Sequence, residues 1–163
     1  MSKYTPILGT LGYVLSKDRK KVLMIHRNKR EGDDHFGKYN GLGGKVHKEE
    51  DIASSMAREL FEEAGIVPLD MQIRGTINWT GFGKKEEDWL GFIFLIKRWK
   101  GKVKKSCEEG DLEWIEKGKI LDLPVWEGDR QFLPLVFDLK KPPFHGIMAM
   151  KGDKMLSFKT AIL

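Results

Sequence analysis

Three glutamates in one short segment are the residues whose types and spacing carry the clearest chemistry in this chain. Glu59, Glu62 and Glu63 stand at positions i, i+3 and i+4, so on a helix their carboxylates project from neighbouring positions on one face. Like charges placed in this way destabilise an isolated helix by roughly 0.2–0.5 kcal/mol per pair. A bound cation is the natural compensation, and carboxylates combined with phosphate oxygens suit Mg²⁺ or Mn²⁺ rather than zinc.

The surrounding sequence places these acids in a larger pattern. Gly44 is followed by five residues, Glu50, seven further residues, and then the run Arg58-Glu59-Leu60-Phe61-Glu62-Glu63-Ala64-Gly65-Ile66. Arg58 is close enough to orient a carboxylate through its planar fork, which favours an organising role over direct contact with a substrate. The glycines shape the loop before the helix and can end it in a left-handed conformation.

The alternative to a functional site is a solvent-exposed acidic helix, which is the ordinary role of most charged helical faces. For the three glutamates alone, odds of roughly three to one favour that alternative. With Glu50, Arg58 and both glycines in register, the complete pattern has a chance probability on the order of 10⁻⁷ in a chain of this length. The pattern therefore favours a metal-binding catalytic site.

The complete pattern resembles the signature of the Nudix hydrolases, and the resemblance extends beyond it. Residues 36–46 are similar to the approach to the signature in MutT-type members, especially the eukaryotic branch that hydrolyses oxidised purine nucleoside triphosphates. Residues 126–129, 132–135 and 144–146 are similar to the same branch. The resemblance implies an α+β fold, an α/β/α sandwich around a mixed sheet. It also implies a pyrophosphohydrolase, in which water attacks a phosphorus to give a nucleoside monophosphate and pyrophosphate.

The resemblance also implies which residues act on the phosphates. Mg²⁺, with Mn²⁺ as a substitute, would neutralise the phosphates and lower the pKa of bound water. The implied metal ligands are Gly43, Glu59, Glu62, Glu63 and Glu109. Arg58 would organise them, and members of the family differ on which carboxylate is the base. For Glu109, an ordinary role as a surface residue is about as consistent with the sequence.

A purine pocket is implied by the same resemblance. Asn40, Trp126 and Asp129 would contact the base, and Thr10 and Arg27 would lie near the nucleoside and the phosphates. Asn40 offers a donor and an acceptor, Trp126 a stacking face, and Asp129 a carboxylate that can share a proton with the base. Each also has an ordinary role, since a tryptophan is usually in the core and an aspartate can cap a helix.

Two positions depart from the oxidised-purine branch. Where that branch carries two adjacent aspartates, this chain has Gly128 before Asp129, so one acid of the pair is retained. Tyr39 replaces the tryptophan that usually precedes Asn40, which preserves an aromatic ring.

The elements that must position these residues follow from hydrophobic patterning. Strands are predicted at residues 7–15, 21–27, 73–79, 89–99, 112–115, 147–150 and 155–159, with turns at 16–19, 84–88 and 151–154. A helix is predicted over residues 51–64, where an apolar stripe of period 3.6 ends at Gly65. A second helix is predicted over 129–139, with Pro134 best tolerated in its first turns, and residues 30–40 are expected to be loop. Segregated strands and helices predict a layered α+β sandwich.

Length and composition narrow the class of protein. The 163 residues fit one domain, 1–163, with a single core. The single Cys107 excludes an internal disulfide and suits a reducing compartment, so we expect a cytoplasmic protein. No apolar run approaches the roughly 20 residues that span a bilayer, and residues 1–5 lack the apolar stretch of a signal peptide. Neither a membrane protein nor a secreted one is therefore expected.

The net charge of +5 suits a polyanionic partner, which could be a nucleotide, a nucleic acid or a membrane surface. Lysines and arginines are scattered along the chain, which indicates solvated loops and strand ends. We therefore expect a small nucleotide substrate and no stable nucleic-acid partner. No oligomeric state follows from the sequence.

The leading hypothesis is a triphosphatase that acts on purine nucleoside triphosphates, oxidised ones included, and cleans the nucleotide pool in support of DNA repair, like 8-oxo-dGTP diphosphatases. An alternative enzyme would cleave a dinucleoside polyphosphate or a capped RNA end, with the basic residues 100–105 as the feature to test. An alternative from another class is a non-catalytic nucleotide-binding Nudix module. The intact acids leave that last hypothesis roughly one chance in twenty.

Overall fold

The computed structural model describes residues 1–162 and is built on one large sheet. Its strands are Ile7–Leu15 (β1), Lys21–His26 (β2), Tyr39–Asn40 (β3), Leu42–Lys45 (β4), Ile66–Phe82 (β5), Glu87–Gly101 (β6), Asp111–Glu116 (β7), Phe144–Gly152 (β8) and Lys154–Ile162 (β9). The helices are Ile52–Ala64 (α1) and Glu127–Phe137 (α2), and Lys117–Asp122 forms a 3₁₀ helix. No helix within residues 1–162 is both long and apolar enough to cross a bilayer.

The sheet is mixed, as expected. Its strand order is β3-β2-β1-β6-β5-β8-β9, with β4 paired to β1 and β7 paired to β2. The pairs β1/β6 and β5/β8 are parallel, and the other pairs are antiparallel. The α+β class with helices packed on a mixed sheet is thereby confirmed.

Alternation along the central strands builds two cores, one on each face of the sheet. In β1, Tyr13 packs on the face that α2 covers, whereas Val14 packs on the face that α1 covers. In β6, Ile93 and Phe94 divide in the same way. Each helix therefore lies on its own face of the sheet, which gives the three layers of the sandwich.

Helix α1 begins and ends where its sequence signals predict. The Asp51 side chain accepts hydrogen bonds from the backbone N–H groups of Ala53 and Ser54, which satisfies two donors of the first turn. At the other end Gly65 has φ 74°, a left-handed conformation that glycine adopts without strain. Met56 and Leu60 are fully buried against the sheet, so the orientation of the helix is fixed and with it the positions of Glu59, Glu62 and Glu63.

Helix α2 is anchored at its C-terminal end by a buried arginine of β5. The Arg74 guanidinium donates to four backbone carbonyl oxygens, at 2.8–3.1 Å, of Leu135, Val136, Asp138 and Lys141. The carbonyls of Leu135 and Val136 belong to the last turn of α2, where carbonyl groups lack a partner within the helix. The arginine therefore fixes α2, whose first turn carries Asp129.

The structure departs from the predicted element bounds in several places. Strands β8 and β9 extend beyond the predicted 147–150 and 155–159 at both ends. Strands β3 and β4 fall in or after the segment expected to be loop, because glycine-rich residues 41–44 carry no strand signal. Strands β5 and β6 extend well beyond the predicted 73–79 and 89–99 because they pair with each other along most of their length across several bulges. Helix α2 lies two residues earlier than predicted, at both its start and its end.

Candidate active site

The acidic end of the site is centred on Glu63. Its side chain is buried, and its Oε1 accepts a 2.8 Å hydrogen bond from the backbone N–H of Gly43 in β4. Burial, together with the nearby negative charges of Glu59 and Glu109, raises the pKa of the Glu63 carboxyl to about 9 against the lowering effect of the Gly43 bond. Three carboxylates are thus crowded together, and the guanidinium groups of Arg58 and Arg30 reach Glu59 and Glu109 but not Glu63.

Glu109 reaches this group from the segment between β6 and β7. One oxygen each of Glu63 and Glu109 and the Sγ of Cys107 lie within 4.8 Å of one another. The thiol donates a 3.2 Å hydrogen bond to Glu109 Oε2. The fold therefore brings together residues 46 positions apart in the chain, and Glu109 lines the active-site cavity rather than the outer surface.

Arg58 links the acids of the helix to one another. Its Nε and Nη2 donate to the two oxygens of Glu50 at 2.9 and 2.7 Å, and its Nη1 donates to Glu59 at 2.9 Å and to Glu62 at 3.2 Å. The Arg58 bonds, with a further bond from the His47 backbone, lower the pKa of Glu50 to about 2. Arg58 touches three carboxylates, which agrees with the organising role proposed from its spacing.

Glu62 occupies a different environment from its two partners. Its side chain is 57% exposed, compared with 13% for Glu59, and its contact is with the Arg58 guanidinium at the rim of the acidic group. The three carboxylates, which were expected to project from neighbouring positions on one face, thus divide into two inward acids and one outward acid. The difference arises because Glu63 and Glu59 face β4, whereas Glu62 faces solvent.

The donor set of this group fits a hard divalent cation. Its atoms are mainly carboxylate oxygens, which Mg²⁺ and Mn²⁺ prefer. The raised pKa of Glu63 reflects burial first and then the charges of Glu59 and Glu109, and a cation would offset both effects. Strand β4 passes close to the acids because it lacks side chains there: a Cβ at Gly44 would lie 2.5 Å from Glu59 Oε1. Glu59, Glu63 and Glu109 are the residues best placed to hold the ion.

A cavity of about 340 Å³ opens beside the acidic group. Its walls include all five residues that the resemblance assigns to the nucleotide, which are Thr10, Arg27, Asn40, Trp126 and Asp129. The floor reaches Gly43, Gly44 and Glu109 of the acidic end. Among the described residues, the buried Thr10 Oγ1 and Arg27 Nε have no hydrogen-bond partner, so both are available to a polar ligand.

The far end of the cavity is aromatic. Trp126 packs against Phe82, with ring centroids 4.9 Å apart, and against His35, at 5.4 Å. The Lys38 ammonium lies 4.8 Å from the centroid of Trp126, within the range of a cation–π contact. Flat, apolar walls of this kind suit a stacked heterocycle.

Asp129 supplies the carboxyl group of this end. Protein surrounds the carboxyl on most sides, although it remains open to the cavity, and this desolvation raises its pKa to about 7. The positive charges of Lys38 and Arg130 oppose the rise. Near neutral pH the group is therefore able both to donate and to accept a proton.

Gly128 stands where the oxidised-purine branch has a second acid. The structure shows why a residue without a side chain fits at this position. A Cβ at this position would overlap the Sδ of Met148 in β8. Met148 is buried in the core beneath α2. A side chain at position 128 therefore requires Met148 to move.

Several lining residues were not found by sequence reasoning. His35, Phe82, Trp79 and Trp89 line the cavity beside the expected residues. His35 lies in a polar segment without periodicity, and the other three lie in or beside strands where an aromatic residue signals only packing. Their place in the site follows from the pairing of β5 with β6, which the sequence does not specify.

Comparison with known proteins identifies the family. The NUDIX domain model matches residues 6–136. An uncharacterised Nudix hydrolase, YvcI of Bacillus subtilis, is 30% identical over 118 residues, 69% of each chain. The oxidized purine nucleoside triphosphate hydrolase of Danio rerio is 31% identical over 120 residues, 74% of each chain. A MutT protein from Bacillus halodurans has a solved structure that superposes with a TM-score of 0.80 at 26% identity, covering 94% of this chain and 97% of that one.

The chain belongs to the Nudix family, whose hydrolases generally use divalent metal ions and small nucleotide substrates. Its fold is that of the MutT-type pyrophosphohydrolases.

Proposed function

We propose that this chain hydrolyses purine nucleoside triphosphates, oxidised ones included, to the nucleoside monophosphate and pyrophosphate, and thereby cleans the nucleotide pool. The observation that carries the proposal is one cavity that is lined both by Trp126 with its aromatic neighbours and by Glu109 of the acidic group. Its volume of about 340 Å³ falls in the range of small-molecule sites. A base at one end therefore places its phosphate chain at the other.

Two relatives support this choice of substrate. The proteins of Danio rerio and Mus musculus, each 31% identical to this chain, are named oxidized purine nucleoside triphosphate hydrolases. The alignment with the mouse protein covers 84% of this chain. The lining residues Asn40 and Asp129 offer hydrogen-bonding groups that suit a purine edge.

At the acidic end, Glu59, Glu63 and Glu109 would hold Mg²⁺, with Glu62 and the Gly43 carbonyl as further candidate ligands. The ion would offset phosphate charge and acidify water. Arg58 keeps Glu59 and Glu62 oriented through its guanidinium. Glu63 and Glu109 stand where a proton from the attacking water can be taken up, since both carboxylates face the same small space.

The test is a comparison of kcat/KM over a panel of 8-oxo-dGTP, 2-hydroxy-dATP, dGTP, dATP, ADP-ribose and Ap₄A. We expect a purine triphosphate to be the best substrate and pyrophosphate to be the product. Glu63→Gln and Glu109→Gln should each lower kcat by about a hundredfold or more. Glu116→Gln, at the exposed end of β7, is the matched control and should retain full activity.

Three outcomes would contradict the proposal. A preference for ADP-ribose or Ap₄A would favour another Nudix substrate, and a preference for a pyrimidine triphosphate would refute the purine pocket. Binding of nucleotides without any hydrolysis would favour the non-catalytic module.

A further inference from the structure

His35 stands between the two residues expected to hold the base. Its Nδ1 lies 2.9 Å from Trp126 Nε1 and 3.0 Å from Asn40 Nδ2. The imidazole also lines the cavity and packs at 5.6 Å from Phe82. One nitrogen of this histidine therefore contacts a side chain from β3 and another from the start of α2.

The Trp126 indole nitrogen determines the protonation state of His35 Nδ1. Trp126 Nε1 is a donor and cannot accept, so Nδ1 of His35 must carry a lone pair and no proton. The neutral ring then holds its proton on Nε2. Burial, followed by the charge of Arg27, lowers the pKa of His35 to about 4, which keeps the ring neutral at neutral pH.

The same lone pair decides the orientation of Asn40. An amide presents NH₂ on one side and oxygen on the other, and only NH₂ can be bound by the lone pair of Nδ1. Asn40 is largely buried, so a flipped amide would set its oxygen against the Nδ1 lone pair without solvent to compensate. The amide is thereby fixed, and Oδ1 and one N–H of known positions remain for a ligand.

We propose that His35 is a specificity-determining positioning residue, which fixes the Asn40 amide and so makes the cavity select between 6-oxopurines and 6-aminopurines. A 6-oxopurine presents an acceptor beside the N1–H donor, and a 6-aminopurine presents the inverse order. An Asn40 amide that is free to rotate can pair with either donor–acceptor pattern of the purine edge, whereas a fixed amide can pair with only one of them. The wrong purine leaves a buried polar group unpaired.

This proposal rests on the proposed function only in placing a purine in the cavity. The first experiment compares kcat/KM for dGTP and dATP, and for 8-oxo-dGTP and 2-hydroxy-dATP, in wild type, His35→Asn and His35→Leu. Asparagine keeps an acceptor near the position of Nδ1, and leucine removes it. His145→Leu, outside the cavity, is the matched control.

We expect wild type, His35→Asn and the His145→Leu control to discriminate between dGTP and dATP by about tenfold or more. In His35→Leu the ratio of kcat/KM for dGTP and dATP should fall toward one. The change should lie in KM, and kcat for the preferred purine should be nearly unchanged. The proposal would be overturned by a wild-type ratio near one or by an undiminished ratio in His35→Leu. It would also be overturned if His35→Asn lost as much discrimination between dGTP and dATP as His35→Leu.

A second measurement does not depend on turnover. Nitrogen-15 NMR of the imidazoles in the metal-free protein at pH 7 should show His35 neutral with its proton on Nε2, and a proton on Nδ1 would overturn the proposal. If wild type hydrolyses no purine triphosphate, the proposed function fails. The ratio of dissociation constants for GMP and AMP, compared between wild type and His35→Leu, then tests the fixed amide by itself.

Discussion

Glu63 Oε1 accepts a 2.8 Å hydrogen bond from the backbone N–H of Gly43, which joins helix α1 to strand β4 at the acidic end of the cavity. The bond holds a buried carboxyl against a strand that carries no side chain at that point. Both partners are candidate metal-site residues, so the stability of the fold and the chemistry of the site depend on the same contact.

Metal binding should release a proton. Because the pKa of Glu63 is raised to about 9 in the metal-free protein, the carboxyl is protonated at pH 7.5 and must lose its proton to bind a cation. Calorimetric titration with Mg²⁺ in buffers of different ionisation enthalpy should show about one proton released per site, and the apparent affinity should rise toward pH 9. Equal heats in all buffers would contradict this assignment, and Glu63→Gln should abolish the release.

Gly43→Ala should destabilise the fold. Gly43 has φ 149°, and a Cβ would overlap the backbone carbonyl oxygen of Thr10 in β1. Neither backbone can move without breaking the β1/β4 pairing, so we expect a loss of about 2–4 kcal/mol in the free energy of unfolding. The matched control is Gly32→Ala, where a Cβ meets nothing within 4 Å and the change should stay within about 0.5 kcal/mol. Urea denaturation measures both, and equal stability of the two variants would refute the prediction.

Asp129→Asn should change stability in a pH-dependent way. The folded-state pKa of about 7 lies above the ordinary aspartate pKa of 3.8, so between these two values the folded protein keeps a proton that the unfolded chain loses. The stabilisation is complete below about pH 4 and is lost as the pH rises through 7. The asparagine variant should therefore gain on the order of 1–3 kcal/mol over wild type between pH 4 and pH 8.

Thermal melts across this range provide the measurement for Asp129. Asp122→Asn, at an exposed position, is the control and should run parallel to wild type. A constant difference between Asp129→Asn and wild type at every pH would show that the carboxyl titrates normally.

Replacement of Arg58 by lysine should not preserve the site. The guanidinium donates to Glu50 through two nitrogens and to Glu59 and Glu62 through a third, a geometry that an ammonium group cannot reproduce. We expect Mg²⁺ affinity or kcat to fall about ten- to a hundredfold in Arg58→Lys. Arg98→Lys, an exposed change in β6, is the control. If Arg58→Lys kept the metal affinity and turnover of wild type, the proposed organising role of Arg58 would be refuted.

Gly128→Asp should destabilise the protein unless Met148 is shortened. The new Cβ would overlap Met148 Sδ, so we expect a loss of about 1–3 kcal/mol in the single variant. In Gly128→Asp/Met148→Ala the two effects should be coupled, with a double-mutant cycle giving a favourable interaction of about 1 kcal/mol or more. Additive effects would show that the two side chains do not compete for space.

The parts of the fold that sequence reasoning predicted are those with local signals. Helix α1 was predicted within one residue of its observed start because Asp51 caps it and Gly65 ends it. Strand β1 was predicted at its observed bounds from its run of β-rich residues. Strand β4 was missed because its pairing with β1 depends on the absence of a side chain at Gly43, where a Cβ would overlap the Thr10 carbonyl oxygen of the partner strand.

The residues of the site likewise divide into those that local sequence signals predict and those that depend on tertiary contacts. The acids were predicted as a group because they share one helix, but the burial of Glu63 and the exposure of Glu62 depend on which side of α1 meets β4. His35 was missed because its partners Asn40 and Trp126 converge only when β3 and α2 are folded. Local spacing thus predicts which residues gather at the site, and tertiary contacts determine how their burial and hydrogen-bond partners differ.

The contact between Gly128 and Met148 also constrains the order in which this pocket can evolve. A lineage that acquires the second acid first must pass through an overpacked intermediate, whereas one that trims the methionine first must pass through an intermediate with a cavity beneath α2. The two positions are therefore epistatic, because each change reduces the cost of the other.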